Sequence, residues 1–134
     1  MNNREPIVKI ADLKLHMKNV NVQGLVLDLT PIRKLPNSSE VRTAVLGDPT
    51  GMINLALWNE YCYVVKLMDI IKVRGVTVGE HKRGMTISIH KNGDIVKQGE
   101  FAMCVNDTNN RSAEDSIPAE ELKAYEAKMA EKRS

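Results

Sequence analysis

The single tryptophan of the chain, Trp58, lies near the end of the alternating stretch GMINLALWNE, residues 51–60. Ile53, Leu55 and Leu57 share one parity in this stretch, and Trp58 falls on the other, more polar one. Because alternate residues of a strand point to opposite faces, the pattern predicts that Trp58 faces outward. An outward ring can stack on another planar ring, and it can equally cover the mouth of a barrel. The pattern alone leaves both interpretations open.

Basic side chains precede and follow Trp58 along the chain. The candidate contacts with an anionic ligand are Arg33, Lys34, Arg42, Lys72, Arg74, His81 and Lys82. Positive groups beside an exposed aromatic ring are what a single-stranded nucleic acid requires, since bases stack and phosphates need cations. Solvated strand faces and turns have the same composition, and the facing of Arg42 is ambiguous.

Catalytic and metal-binding patterns are missing from the sequence. His16, His81 and His90 fall in separate elements without metal-ligand spacing, and no GxSxG, GxxxxGK[ST] or HExxH motif occurs. A serine–histidine–aspartate triad assembled by the fold is not ruled out by sequence. Cys62 and Cys104 lack a CxxC or Cys/His spacing and are predicted to be unpaired thiols. We therefore expect a binding protein with no cofactor and no metal.

Size and composition fit one intracellular domain. The chain has 134 residues, of which 43% are apolar and 4% aromatic, so the core must consist mainly of Val, Ile, Leu and Met. No apolar run approaches the roughly 18 residues of a membrane span, and the polar start MNNREPIVKI resembles no signal peptide. Net charge is +4 over residues 1–104 and −2 over 105–134. A mildly basic body is compatible with nucleic acid without requiring it.

Short alternating segments predict the elements that position these residues. The five main strands are predicted at 18–30, 41–47, 51–58, 69–78 and 85–90, with a last strand at 99–105. The parity of apolar residues changes at Gly24 and again at Gly75, which predicts a β-bulge at each glycine. The segments 31–40 and 59–68 are predicted to be a loop and a short helix or connecting loop, and DPTG (48–51) and KNGD (91–94) are predicted turns.

The two ends of the chain give weaker signals. Residues 7–17 fit a turn of helix or an edge strand equally well. Residues 106–116 are polar, which predicts a flexible segment, and IPAEELKAYEAKMAEKR (117–133) predicts a helix with a thin apolar stripe. Such a helix docks weakly or stays solvated. The predicted organisation is a barrel over 1–106 and a polar linker with a helical tail over 107–134.

This order of elements predicts an all-β fold, namely a five-stranded OB-fold Greek-key barrel with a flexible C-terminal tail ending in a short helix. OB-folds bind oligonucleotides on the face of their second and third strands and through two flanking loops. Trp58 lies on the third predicted strand, Arg33 and Lys34 in the first loop, and His81 and Lys82 in the second. The pattern therefore favours a non-catalytic protein that binds single-stranded nucleic acid.

Three stretches together resemble a known family. VRTAVLGDPTGMINLALWNE, DIIKV and KQGEFAMC, in this order, are similar to the SOSS-B family, the simple single-OB-fold, single-stranded DNA-binding proteins of the SOSS complex. The resemblance covers roughly residues 8–106. It implies a nuclear protein of DNA repair and the DNA damage response that works in a complex with an Integrator-related scaffold protein. It further implies that Trp58 stacks on a base, and that Glu100 and Phe101 dock the scaffold.

The sequence also departs from that family. Where the family carries further aromatic residues, this chain has Thr77, His81 and Ser88. Fewer stacking surfaces predict weaker binding, because each stacked base contributes about 1–3 kcal/mol. Two alternatives follow: a protein-interaction module with a weakened nucleic-acid site, and an OB-fold that binds single-stranded RNA. Stacking and charge do not separate DNA from RNA.

Overall fold

The computed structural model describes residues 7–98 and 105–133. The strands are β1 Val20–Leu29, β2 Arg33–Lys34, β3 Glu40–Asp48, β4 Gly51–Trp58, β5 Ile70–His81 and β6 Gly84–Lys97. Single turns of 3₁₀ helix occupy Ile10–Asp12 and Asn59–Tyr63, and one helix, α1, spans Ala119–Arg133.

The strands form one sheet that closes into a barrel. Its order is β1-β5-β6-β4-β3-β2, and an additional pairing of β1 with β3 completes the closure. The pair β4–β6 is parallel, through Asn54–Thr86, Leu55–Ile87 and Ala56–Ser88, and the other ladders are antiparallel. The five long strands make the predicted OB barrel, with the short C-terminal helix beside it.

Aliphatic side chains fill the barrel, as the composition requires. Fully buried residues come from all five long strands and include Val22, Val26, Leu46, Ile53, Leu55, Leu57, Ile71, Val73, Val76 and Ile87. Inward and outward residues alternate cleanly along β4, so Ile53, Leu55 and Leu57 are buried and Trp58 is exposed. This alternation confirms the facing predicted for the strand that carries Trp58.

Of the two glycines predicted to mark bulges, one does and one does not. Gly75 has φ +73°, and the β5–β6 register shifts between Arg74 and Val76, as predicted. The register of β1 shifts instead between Val20 and Val22 in its pairing with β5, and between Val26 and Asp28 in its pairing with β3. The prediction of a bulge at Gly24 is therefore wrong.

Gly24 marks a close crossing of β1 and β3. A Cβ atom on Gly24 would lie 2.7 Å from the carbonyl oxygen of Gly47, a separation that real side chains do not tolerate. Two leucines that follow Gly24 also explain the misleading pattern. Leu25 lies outside the core cluster although it is buried, and Leu27 contacts the outer side of Gly47. An apolar residue on a barrel strand can thus face away from the core.

Two predicted connections differ in the structure. Residues 31–40 do not form a simple loop, because Arg33 and Lys34 pair with Val41 and Glu40 as a short hairpin arm. KNGD (91–94) does not reverse the chain but forms a large bulge within β6. The strand pairs with β5 on both sides of this bulge, through Val76–Ile89 and Arg74–Asp94. Gly93 lies against Gly75 at this point, because a Cβ atom on Gly75 would lie 2.9 Å from the Cα atom of Gly93.

The turn at 48–51 is confirmed and also anchors the N-terminal segment. The Asp48 carboxylate accepts hydrogen bonds from Thr50 and Gly51 within the turn, and from the Ile10 amide at 3.0 Å. Both structures considered for residues 7–17 occur in part, since Ile10–Asp12 is a helical turn and Ile7 forms a bridge with Asn21.

Residues 105–117, predicted to be mostly a flexible segment, instead pack along the barrel. Residues 109–112 insert between the diverging starts of β4 and β6. The Met52 amide donates to the Asn109 carbonyl, and the Met85 amide donates to the Arg111 carbonyl. The Arg111 guanidinium donates to the carbonyls of Ala11 at 2.6 Å and Leu13 at 3.0 Å. Polar composition misled here because these side chains satisfy backbone groups of the barrel and do not only face water.

Helix α1 docks on the barrel. Ile117 is buried before it, and Leu122 and Tyr125 pack against the core cluster. The Glu121 carboxylate accepts a hydrogen bond from the Leu15 amide at 3.3 Å. The boundary predicted at 106/107 stays a prediction. None of the helices in the described ranges has the length and apolar character needed to span a membrane.

Candidate nucleic-acid interface

Trp58 lies at the end of β4 with 43% of its surface exposed. In β3 its direct partner is Val41, and Val41 in turn pairs with Arg33 of β2. Directly opposed residues in antiparallel ladders point to the same face, so Arg33, Val41 and Trp58 form one row across three strands. The backbones of Arg33 and Trp58 are therefore two strand spacings, or about 10 Å, apart.

Hydrogen bonds hold the hairpin arm beside Trp58. The Asn59 side-chain oxygen accepts from the Glu40 amide at 3.0 Å, and the Tyr63 hydroxyl donates to the Glu40 carboxylate at 2.8 Å. This hydrogen bond to the carboxylate raises the pKa of the Tyr63 phenol above its ordinary value. The arm that carries Arg33 and Lys34 is therefore tied to the segment that follows Trp58.

The structure settles the facing of Arg42, which the sequence left ambiguous. Arg42 pairs with Leu57, so it lies on the opposite face of β3 from Val41. Its guanidinium donates to the carbonyls of Thr30 at 2.9 Å and Cys62 at 3.0 Å. Arg42 and Arg33 nevertheless line one depression of about 280 Å³, together with Thr30, Pro31, Val41 and Thr43. A direct contact of Arg42 with a ligand stays a prediction.

Short side chains cover the outer face next to Trp58. One row runs across four strands through Thr43, Ala56, Ser88 and Thr77. The next row runs through Val45, Asn54, Thr86 and Gly79. These two rows contain no aromatic side chain, so an extended polymer bound to this face can lie close to the sheet.

Lys72 and Arg74 lie away from the Trp58 row. They occupy the first half of β5, where Lys72 is opposite Gln23 of β1 and Val96 of β6. Arg74 forms a bidentate ion pair with Asp94. Its Nε donates to Oδ1 at 2.6 Å, and its Nη2 contacts Oδ2. The hydrogen bond from Arg74 lowers the pKa of the Asp94 carboxyl. One of the positive charges predicted to face phosphates, that of Arg74, is thus balanced by a carboxylate.

His81 and Lys82 are exposed at the β5–β6 hairpin. Lys82 and Arg83 both have positive φ, at 51° and 60°, which is the geometry of a type I′ turn. The C-terminal segment fixes this turn, since Arg83 forms an ion pair with Asp115 and its carbonyl accepts from the Ile117 amide. The three groups of predicted basic residues therefore occupy three separate places on the barrel.

Other candidate residues carry no site in the described part of the chain. Cys62 is a buried free thiol, and burial raises its pKa. The described ranges contain no cluster of three or more His, Cys, Asp or Glu side chains suited to a metal ion. Glu100, Phe101 and Cys104 lie outside the described residues.

Sequence reasoning missed what the C-terminal segment contributes. Arg111 stands within a polar run, and only its three-dimensional contacts with carbonyls near Ile10 reveal its role. Tyr125 gave a faint signal as part of the thin apolar stripe, and it lines a pocket beside β5.

The fold agrees with a sequence match over residues 5–97 to a family described as single-stranded DNA binding protein Ssb-like, OB fold. The chain belongs to this family. It is 34% identical over 68 residues to the single-stranded DNA binding protein Ssb of Saccharolobus solfataricus. The match covers 48% of the chain and 46% of that relative, so the chain matches about half of the relative's length.

Two solved structures are similar in fold. A hypothetical protein from Arabidopsis thaliana superposes with a TM-score of 0.71 at 20% identity, covering 89% of this chain and 92% of that one. A domain of replication protein A from Methanococcus maripaludis gives a TM-score of 0.59 at 27% identity, covering 69% of this chain and 97% of that one. The first of these shows the fold alone.

Proposed function

We propose that this protein binds single-stranded DNA without catalysing a reaction, with one base stacked on Trp58. The observation that carries the proposal is the exposed indole in one row with Val41 and Arg33. The row combines a stacking surface with a cation for the phosphate, which is the minimum that single-strand binding requires. Family membership and the similarity to the Ssb protein of Saccharolobus solfataricus support the choice of single-stranded DNA.

We further propose a role in DNA repair as a nuclear member of a SOSS-like complex. The support is the resemblance of VRTAVLGDPTGMINLALWNE, DIIKV and KQGEFAMC to the SOSS-B family. In that arrangement Glu100 and Phe101 dock an Integrator-related scaffold. Co-purification of the tagged protein with such a scaffold tests this role, and Phe101→Ala should abolish it while DNA binding remains.

A second candidate function is protein interaction through the connector after Trp58. Four large apolar side chains are exposed there: Tyr63, Val64, Leu67 and Met68. Clustered exposed apolar residues mark interaction surfaces more often than single ones do. On this alternative the barrel is a docking module and Trp58 belongs to the apolar surface.

Trp58 itself provides the test, because it is the only tryptophan of the chain. Its fluorescence should be quenched on titration with (dT)12, and the affinity should fall as salt is added, because phosphate contacts release counterions. Trp58→Ala, measured by anisotropy of a labelled oligonucleotide, should weaken binding by about 5- to 150-fold, the loss of one stacked base.

Leu67→Ala is the matched control, since it also removes an exposed apolar side chain, in the connector that follows Trp58. It should leave the affinity unchanged. A wild-type protein that neither quenches nor binds at low salt would overturn the proposal and favour the interaction module. A ribo-oligomer bound more tightly than its deoxy counterpart would favour RNA.

A further inference from the structure

A pocket of about 170 Å³ lies between helix α1 and strand β5. Its lining residues are His16, Lys18, Thr77, Val78, Gly79, Tyr125, Lys128 and Met129. Pockets for drug-sized ligands are larger, at about 300–1,000 Å³. This pocket therefore has room for one ring system and not for a complete nucleotide cofactor.

The pocket continues the outer face that begins at Trp58. Thr77 lies in the row that runs through Ser88 and Ala56, and Ala56 is two residues from Trp58 on β4. From β4 across β6 to β5 is two strand spacings, or about 10 Å. A single strand of DNA with one base on Trp58 can cross these short side chains. A base a few nucleotides further along the strand then reaches the pocket.

The lining offers both parts of a nucleotide contact. The Tyr125 ring and the Met129 side chain give an apolar wall, and His16, Lys18 and Lys128 bring basic groups to it. Three acids lie near the pocket but do not line it. Glu121 accepts a hydrogen bond from the Leu15 amide and lines a neighbouring depression with His16 and Lys128, and Glu80 and Glu126 line another that shares Tyr125 and Met129 with the pocket. Charge therefore favours a phosphate on the side of Lys18 and Lys128.

We propose that this pocket is a second base-binding subsite, in which a base of the bound single strand packs against Tyr125 and its phosphate meets Lys18 and Lys128. The proposal rests on the proposed function and deepens it, because it makes the C-terminal helix part of the binding surface. The helix supplies an aromatic ring next to Thr77 and Ser88, where the sheet itself has none.

Gly79 allows the subsite to be blocked without disturbing the barrel. A Cβ atom on Gly79 would meet nothing within 4 Å, and the φ of Gly79 lies outside the left-handed region. Gly79→Val therefore places two methyl groups in the pocket with a residue that suits a strand. Unchanged circular dichroism and melting temperature would show that the variant is folded.

The experiment compares (dT)12 affinities of full-length variants. Gly79→Val should weaken binding about 5-fold or more, as expected for one displaced base, while the quenching of Trp58 at saturation stays complete. Lys128→Ala should lower the slope of log affinity against log salt by about 0.7, the value for one lost phosphate contact on a single strand. Lys123→Ala is the matched control, because Lys123 is exposed on α1 and does not line the pocket.

A second readout locates the base directly. An oligonucleotide with photoreactive 5-iodouracil should crosslink to the peptide that contains Tyr125 in the wild type and not in Gly79→Val. If Gly79→Val and Lys128→Ala bind like the wild type while Trp58→Ala weakens binding, the subsite is overturned and the proposed function stands. If the wild type binds no oligonucleotide, both are overturned.

Discussion

The basic side chains differ in whether their charge is already paired with an acidic or carbonyl group of the protein. Arg74 is matched by Asp94, and the Arg42 guanidinium holds two carbonyl groups. Arg33 and Lys34 form no ion pair with any residue that the structure describes, and they are exposed on the arm beside Trp58. At the scale of the residue, a count of cations overestimates the positive surface, and the arm retains the most available charge.

The Arg74–Asp94 pair predicts a pH-dependent contribution to stability. The pKa of Asp94 is lowered in the folded protein, so the pair stabilises the fold above the ordinary aspartate pKa of about 4 and loses this effect as pH falls through the lowered pKa. Asp94→Asn should therefore lower the free energy of unfolding at pH 7 and have little effect at pH 2. Urea denaturation at both pH values measures this, and an equal difference at both would contradict it.

At the scale of the element, sequence patterns predicted the strands better than the connections. The strict alternation around Leu55 fixed the facing of β4, because a one-residue slip would expose its whole core face. Gly75 was predictable as a bulge since apolar residues on both sides had to reach the core. Gly24 was not, because its reason is the carbonyl of Gly47, a neighbour distant in sequence. Close approach between strands leaves no local signal.

The insertion of residues 109–112 could not be predicted for the same reason. Polar residues in sequence suggest solvent, yet Ser112 bonds both β4 and β6, accepting from the Asn54 amide at 2.7 Å and donating to the Met85 carbonyl. The candidate site shows the same division. Trp58 and Arg33 were predicted as binding residues from the local pattern, whereas the position of Tyr125 beside β5 depends on where the helix docks.

Arg111 should be the most sensitive position of this segment. Arg111→Leu removes three hydrogen bonds to the carbonyls of Ile10, Ala11 and Leu13 and leaves partly buried acceptors without this donor. We expect a loss of about 3 kcal/mol in the free energy of unfolding, by urea denaturation. The control Arg33→Leu makes the same change at an exposed site and should cost less than about 0.5 kcal/mol. Equal losses would show that Arg111 has no special role.

At the scale of the whole molecule, the barrel and the tail are not independent. The C-terminal segment pairs with β4 and β6, contacts the N-terminal turn through Arg111 and fixes the β5–β6 hairpin through Asp115. Helix α1 then adds Leu122 and Tyr125 to the core. Residues after 106 therefore contribute contacts to the barrel and to its core.

Truncation separates these contributions. A chain ending at Pro118 should unfold cooperatively with reduced stability, because it keeps the inserted segment and loses only the packing of α1. A chain ending at Asn106 should lose most of its cooperative transition, since the starts of β4 and β6 are left with unpaired backbone groups. Thermal unfolding followed by circular dichroism compares them. Full stability of the 1–106 chain would support the predicted boundary at 106/107.

The Arg111 contacts have a further consequence for the order of folding. They join residues 98 to 101 positions apart, close to the whole length of the barrel. Contacts at such separation carry a large loop-closure entropy and form after the local hairpins β3–β4 and β5–β6. We therefore expect the transition state for folding to be crossed before the Arg111 hydrogen bonds form. The stability lost in Arg111→Leu should appear as faster unfolding, with the refolding rate unchanged.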